Sequence, residues 1–118
     1  MAYNQFTEAE IHMMEIIETS VFTRQVKELL SDDEYRLLQI ALVQHPESGD
    51  LIPQSGGIRK KRWSMGGRGK RGGARVIYYW AVTKDQLLML MIYAKNEKDD
   101  LSTDQLKLIR RIVEEEYP

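Results

Sequence analysis

Residues 87–92 read Leu-Leu-Met-Leu-Met-Ile, an apolar run with no polar interruption. The run falls far short of the roughly 20 residues that a membrane-spanning helix needs. In a β-strand successive side chains point to opposite faces, so a strand that is apolar at every position fits an interior place with cover on both sides. The run therefore predicts an interior strand of a sheet. A chain of 118 residues is the size of one domain and can build its own hydrophobic core.

The remaining elements follow from periodicity and helix signals. Residues 1–13 are mixed in character, with Thr7 and Glu10 at capping-box spacing, and are expected to be an N-terminal extension, either a tail or a short helix. Residues 14–18 are short and isoleucine-rich, which predicts a strand. Phe22, Val26, Leu29 and Leu30 follow at helical spacing. Ser31 and Glu34 form a capping box that opens a second helix, with Tyr35, Leu38, Ala41, Leu42 and His45 on one face and Pro46 beyond its end. After a loop with Gly49, Pro53, Gly56 and Gly57 come strand-like segments at 58–64, 74–82 and 86–94, the last two joined by a polar turn at 83–85. Ser102 and Gln105 cap a final helix whose inner stripe is Leu106, Ile109, Val113 and Tyr117. The expected fold is α+β in the order βααβββα, a small, mostly antiparallel sheet with the helices packed on one face, in a single domain over residues 14–118.

The charge is unevenly placed. Arg59, Lys60, Lys61, Arg62, Arg68, Lys70, Arg71 and Arg75 crowd a stretch without a single acid, around glycines between 66 and 73. The whole chain carries 17 basic and 18 acidic residues, so removing those eight cations leaves nine facing all the acids. Such segregation points to a local polyanion site rather than to a generally basic protein.

Alternation sorts the cations by face. Lys60 and Arg62 share one face of their strand, with Arg59, Lys61 and Trp63 on the other; in the next strand Arg75, Ile77 and Tyr79 oppose Val76, Tyr78, Trp80 and Val82. The larger, more apolar set belongs on the helices, which places Lys60 and Arg62 beside Arg75 on an open face. Trp63, Tyr78 and Trp80 then read as core, whereas Tyr79, on the open face, is placed to stack on a base.

Several motifs fail their required context. Gly67, Gly69 and Gly72 spell a dinucleotide-binding pattern but precede a strand rather than opening a helix, and Arg71 follows Lys70 where a phosphate-binding loop needs Ser or Thr. The chain has no cysteine, which removes thiolate catalysis and the common zinc sites and suits a reducing cytoplasm. His12 and His45 are far in sequence from the basic tract, and no metal-ligand spacing is apparent. Asp99 and Asp100 read as charges favouring the N-terminus of the last helix.

At residues 57–62 (GIRKKR), 69–79 (GKRGGARVIYY) and 93–102 (YAKNEKDDLS) the chain resembles the HigB branch of the RelE/ParE toxin superfamily, in order across residues 14–116. The resemblance implies a cytoplasmic mRNA interferase: an endoribonuclease that enters the ribosomal A site, cuts mRNA there without a metal or other cofactor, and is held inactive by a cognate antitoxin. A HigA-like helix-turn-helix protein is the expected antitoxin. Carried over by position, Lys60, Arg62, Arg75 and Lys95 are the expected catalytic cations. Asn96 stands where RelE-type toxins have an arginine and Ser102 where they have a tyrosine, and Tyr93 is the substitute candidate. Arg59, Arg68, Lys70, Arg71 and Tyr79 are the expected RNA- or ribosome-binding residues. A ParE-like gyrase inhibitor and a non-catalytic RNA-binding module remain as alternatives from the residues alone.

Overall fold

A computed structural model describes residues 14–64, 73–98 and 100–118. The expected extension at 1–13 and the cations Arg68, Lys70 and Arg71 lie outside the described residues. The described residues form β1 (Glu15–Glu18), α1 (Ser20–Leu29), α2 (Asp32–Gln44), β2 (Asp50–Leu51), β3 (Ile58–Trp63), β4 (Ala74–Ala81), β5 (Gln86–Ala94) and α3 (Thr103–Glu116), with a 3₁₀ turn at Val82–Lys84 between β4 and β5. The short strand β2 lies where the sequence predicts only loop. No helix among the described residues is long and apolar enough to cross a membrane.

The strands form one sheet in the order β1-β5-β4-β3-β2. Strand β1 runs parallel to β5, and the other neighbours are antiparallel. The apolar run sits in β5 as expected, between β1 and β4, and every residue from Leu87 to Ala94 is buried.

The expectation that all helices cover one face is corrected. Phe22, Val26, Leu38 and Leu42 of the α1–α2 pair meet Val76, Tyr78, Leu87, Met89 and Ile92 on one side. Ile109 and Val113 of α3 meet Ile58, Ile77, Leu88, Leu90 and Tyr93 on the other. The physical reason is the composition of β5 itself, whose second apolar face would otherwise lie in water at about 25 cal/mol per Å².

The local signals act as read. Ser31 and Ser102 accept hydrogen bonds from the amides of Glu34 and Gln105, whose side chains return the bond to the cap residue. Thr19 caps α1 through the amide of Phe22. It also ties the helix to the sheet, because its hydroxyl donates to the Leu90 carbonyl at 2.9 Å.

That carbonyl belongs to an irregularity. Ile77 pairs with Met91 but Tyr78 pairs with Met89, so Leu90 is an extra residue in β5. Leu90 and Met91 consequently share the α3 side, and the alternation beyond them is inverted. The bulge frees backbone groups from the ladder, and side chains of the α1 region take them up. Besides Thr19, the Gln25 side-chain Oε1 accepts from the Ile92 amide at 3.0 Å.

Tyr78 fixes the loop after α2. Its ring is wholly buried, and its hydroxyl donates to the Pro46 carbonyl at 2.6 Å and accepts from the Gly49 amide at 2.9 Å. A Cβ at Gly49 would lie 2.8 Å from that ring, so the close approach needs glycine. Burial raises the Tyr78 hydroxyl above the ordinary phenol value, which keeps it a neutral donor. Tyr78→Phe leaves a buried amide and carbonyl unpaired and is expected to lower unfolding free energy by about 1–3 kcal/mol, measured as a shift in the urea midpoint at unchanged slope.

Candidate active site

Strand register brings the predicted cations together. Arg62 of β3 lies opposite Arg75 of β4, and Arg75 lies opposite Tyr93 of β5, so the three form one row across neighbouring strands. Lys60 is two residues from Arg62 and on the same face. Tyr93 joins the row only because the bulge at Leu90 inverts the alternation of β5 before it.

Lys95 arrives from the turn after β5. Its amide donates to the Gly73 carbonyl at 2.9 Å, which ties that turn to the start of β4 two residues before Arg75. Gly73 holds a φ of +72°, and a Cβ there would stand 2.3 Å from the Trp63 carbonyl oxygen. Only glycine lets the two strands approach at this end.

Lys60, Arg62, Arg75 and Lys95, with Asp100, line a polar cleft of about 500 Å³. It lies on the α3 side of the sheet, at the end where Ser102 begins that helix. The sheet supplies three cations from two strands, and the turn after β5 supplies the fourth.

The members differ in exposure. Arg75 is buried at 6% exposure, and its Nη1 donates to its own strand at the Ala74 carbonyl, 3.2 Å away. Arg62 and Lys95 are exposed. Tyr93 is only 3% exposed, packs with the residues under α3, and has Lys98 Nζ over its ring at 4.9 Å from the centroid.

Of the predicted binding residues, the two that are described, Arg59 and Tyr79, are not gathered into the cleft. Arg59 points to the opposite face, where its guanidinium donates to the carbonyls of Glu47 and Gly49 at 2.9 and 2.8 Å. Tyr79 is on the cleft side of β4 as expected, but its ring lies 5.5 Å from that of Tyr117 and packs against the C-terminal segment. The face around Tyr79 is covered because α3 occupies it.

Two further side chains at the site escaped sequence reasoning. Asp100, read from the sequence only as a charge near the helix start, accepts from Lys60 Nζ at 2.6 Å across the cleft. Lys98 covers Tyr93 from the same turn that carries Lys95. A carboxylate 40 residues from its lysine leaves no local signal, and only strand topology brings the pair together.

Over residues 14–116 the chain matches the family described as RelE toxin of the RelE/RelB toxin–antitoxin system, and it belongs to that family. It is thus a toxin of the toxin–antitoxin class. Among solved structures it is similar to a free Escherichia coli RelE carrying two arginine-to-alanine changes, at 10% identity over 74% of this chain and 88% of that one, with a TM-score of 0.55. It is also similar to a chain of the intact E. coli RelBE toxin–antitoxin complex, at 13% identity over 69% and 95% of the two chains, with a TM-score of 0.52. At these identities the structural likeness speaks for the α+β fold.

The Lys60 ammonium, by hydrogen bond and by charge, holds the Asp100 carboxyl below the usual carboxylate range, with a smaller contribution from Arg75. A depressed folded-state value means that the pair persists above the unfolded-state value and is lost as pH falls through the folded one. Carbon-13 NMR titration should therefore find Asp100 ionised at a pH where ordinary aspartates are half protonated, and Lys60→Met should move it back up towards 3.8.

Proposed function

We propose that this chain is a ribosome-dependent endoribonuclease of the HigB-like branch, cutting mRNA in the ribosomal A site and so stopping translation. The observation that carries the reading is the convergence of Lys60, Arg62, Arg75 and Lys95 on one cleft. Placing Arg62 directly opposite Arg75 is unfavourable for a sheet on its own, since like charges on paired strand positions repel. A bound phosphate turns the same arrangement into a stabilising one.

The chemistry that such a cleft supports is attack of a 2′-hydroxyl oxygen on its own adjacent phosphorus. The bond to the 5′-oxygen of the next nucleotide breaks, leaving a 2′,3′-cyclic phosphate on one fragment and a 5′-hydroxyl on the other. In the transition state the phosphoryl oxygens carry extra negative charge. Arg62 and Arg75 answer it with paired, permanently charged donors held on adjacent strands. The buried Arg75 is fixed by its surroundings, which preorganises the site.

Proton transfer falls to the lysines. Lys95, reacting as its neutral amine, is assigned the proton from the 2′-hydroxyl, and the Lys60 ammonium, a donor to Asp100 in the free protein, is assigned the proton that the departing 5′-oxygen takes up. Tyr93, buried beneath Lys98, is assigned to positioning Arg75 and the substrate rather than to delivering a proton to the leaving oxygen. Arg68, Lys70 and Arg71 supply salt-sensitive grip on flanking mRNA or ribosomal RNA. No metal is needed in this scheme because protein cations stabilise the charge.

The partner that restrains the toxin is a cognate antitoxin, proposed to be HigA-like and cytoplasmic with it. Support comes from the family and from the similar E. coli chain, whose structure is that of a toxin–antitoxin complex. Arg62→Ala and Arg75→Ala are each expected to lower mRNA cleavage on translating ribosomes by roughly 10²-fold or more, read by mapping new 5′ ends, with circular dichroism unchanged. Wild-type cleavage by both variants rejects the assignment, and trapped DNA breaks with gyrase in place of mRNA ends point to a ParE-like activity.

A further inference from the structure

Beside the cation cleft lies a second hollow of about 410 Å³, and the two share Lys60, Arg62 and Asp100 as a common wall. The rest of its lining is different in kind. Leu51 and Ile52 from the β2 segment, with Leu101 and Leu106 from the start of α3, give aliphatic walls, and Asp50 joins Asp100 in supplying carboxylates. Leu51 is 58% exposed, a large apolar side chain that the core does not use. Ile52, Leu101 and Leu106 pack partly against the core beneath α3, so the floor of the hollow is fixed. Its volume falls in the range of about 300–1,000 Å³ typical of small-molecule sites.

We propose that this hollow receives the nucleobase next to the phosphate bound in the cleft, and that Asp50 and Asp100 select bases that present an amino group. The inference rests on the nuclease reading and names which substrates that site accepts. A nucleobase has apolar faces and a polar rim, which suits aliphatic walls carrying polar groups at one side. The shared wall makes the two sites neighbours, because the residues that would grip the phosphate also bound the hollow.

The carboxylates decide the rim. Ionised Asp can only accept hydrogen bonds, so a bound base has to donate. Adenine, cytosine and guanine each carry an exocyclic amino group, whereas the base donor of uracil is its single ring N3–H, flanked on both sides by carbonyl oxygens. A carboxylate that accepts from that N3–H is set close to a carbonyl oxygen that it repels, and a second carboxylate finds no donor, which makes uracil the disfavoured base. Asp50 and Asp100 approach from two sides: Asp50 lies opposite Lys60 on the sheet edge, and Asp100 reaches Lys60 from the segment before α3.

The test is ribosome-programmed cleavage of an mRNA library with a randomised segment, scoring new 5′ ends by the bases on both sides of each break. For the wild-type protein, uracil at one of the two flanking positions is expected to be depleted by roughly tenfold or more. Asp50→Asn and Asp100→Asn each replace an acceptor with an amide that also donates, and should raise uracil-flanked cuts roughly tenfold relative to the other bases. The readout is a ratio among products, so a fall in total rate does not obscure it. A wild-type protein that cuts with no bias at either flank, or a bias unchanged in both variants, overturns this inference alone. No new mRNA ends from the wild-type protein overturns the nuclease reading and this inference with it.

Discussion

The burial of β5 on both faces is the constraint from which the remaining architecture follows. Its residues from Leu87 to Ala94 are all buried, so each face needs its own apolar partner. The α1–α2 pair meets one face and α3 the other, and because α3 covers only part of its side, the described residues leave the end of the sheet before Ser102 open. The cleft occupies that open end. A sheet held from both sides also tolerates what an isolated hairpin would not, two guanidinium groups on directly paired positions of β3 and β4. Their repulsion is local and screened by water and salt, whereas the core beneath them is spread over the whole sheet.

Much of this was legible before any coordinates. The capping boxes at Ser31 and Ser102 are local chemistry, in which a hydroxyl and a side-chain amide or carboxylate three residues on leave few alternatives to a helix start. Face assignment in β3 and β4 was equally readable, because polar and apolar residues alternate there: Trp63, Val76, Tyr78 and Trp80 do pack under the helical pair, with Lys60, Arg62 and Arg75 opposite. Alternation in β5 carried no such information. A run apolar at every position reads the same in either register, so the extra residue at Leu90 left no trace. That bulge decides whether Tyr93 faces Arg75 or the opposite core.

The side chosen by α3 was hidden for a related reason. An amphipathic stripe shows that a helix buries one face but not which sheet face it meets. The same apolar run that predicted an interior strand required cover on two sides, so it already argued against placing every helix on one. Tyr79 shows the consequence. Alternation put it correctly on the side of Arg75, but the helix that covers that side sets Tyr117 against its ring and removes it from the open part of the face.

The contact between Lys60 and Asp100 joins the fold to the proposed chemistry. Lys60 is largely covered, with 23% of its side chain exposed, whereas Asp100 is 77% exposed, so the pair sets a held cation against a solvated and easily displaced anion. The carboxylate thus acts as a provisional counter-ion in a cleft otherwise lined by positive charge. On the nuclease reading a phosphate diester replaces it with little loss, since an exposed ion pair contributes little to stability in water and salt. Once displaced from Lys60, the Asp100 carboxylate remains at the boundary between the two hollows, where it can accept a hydrogen bond from the base whose phosphate took its place. On the nuclease reading, one residue thereby links occupancy of the cation cleft to the identity of the neighbouring base.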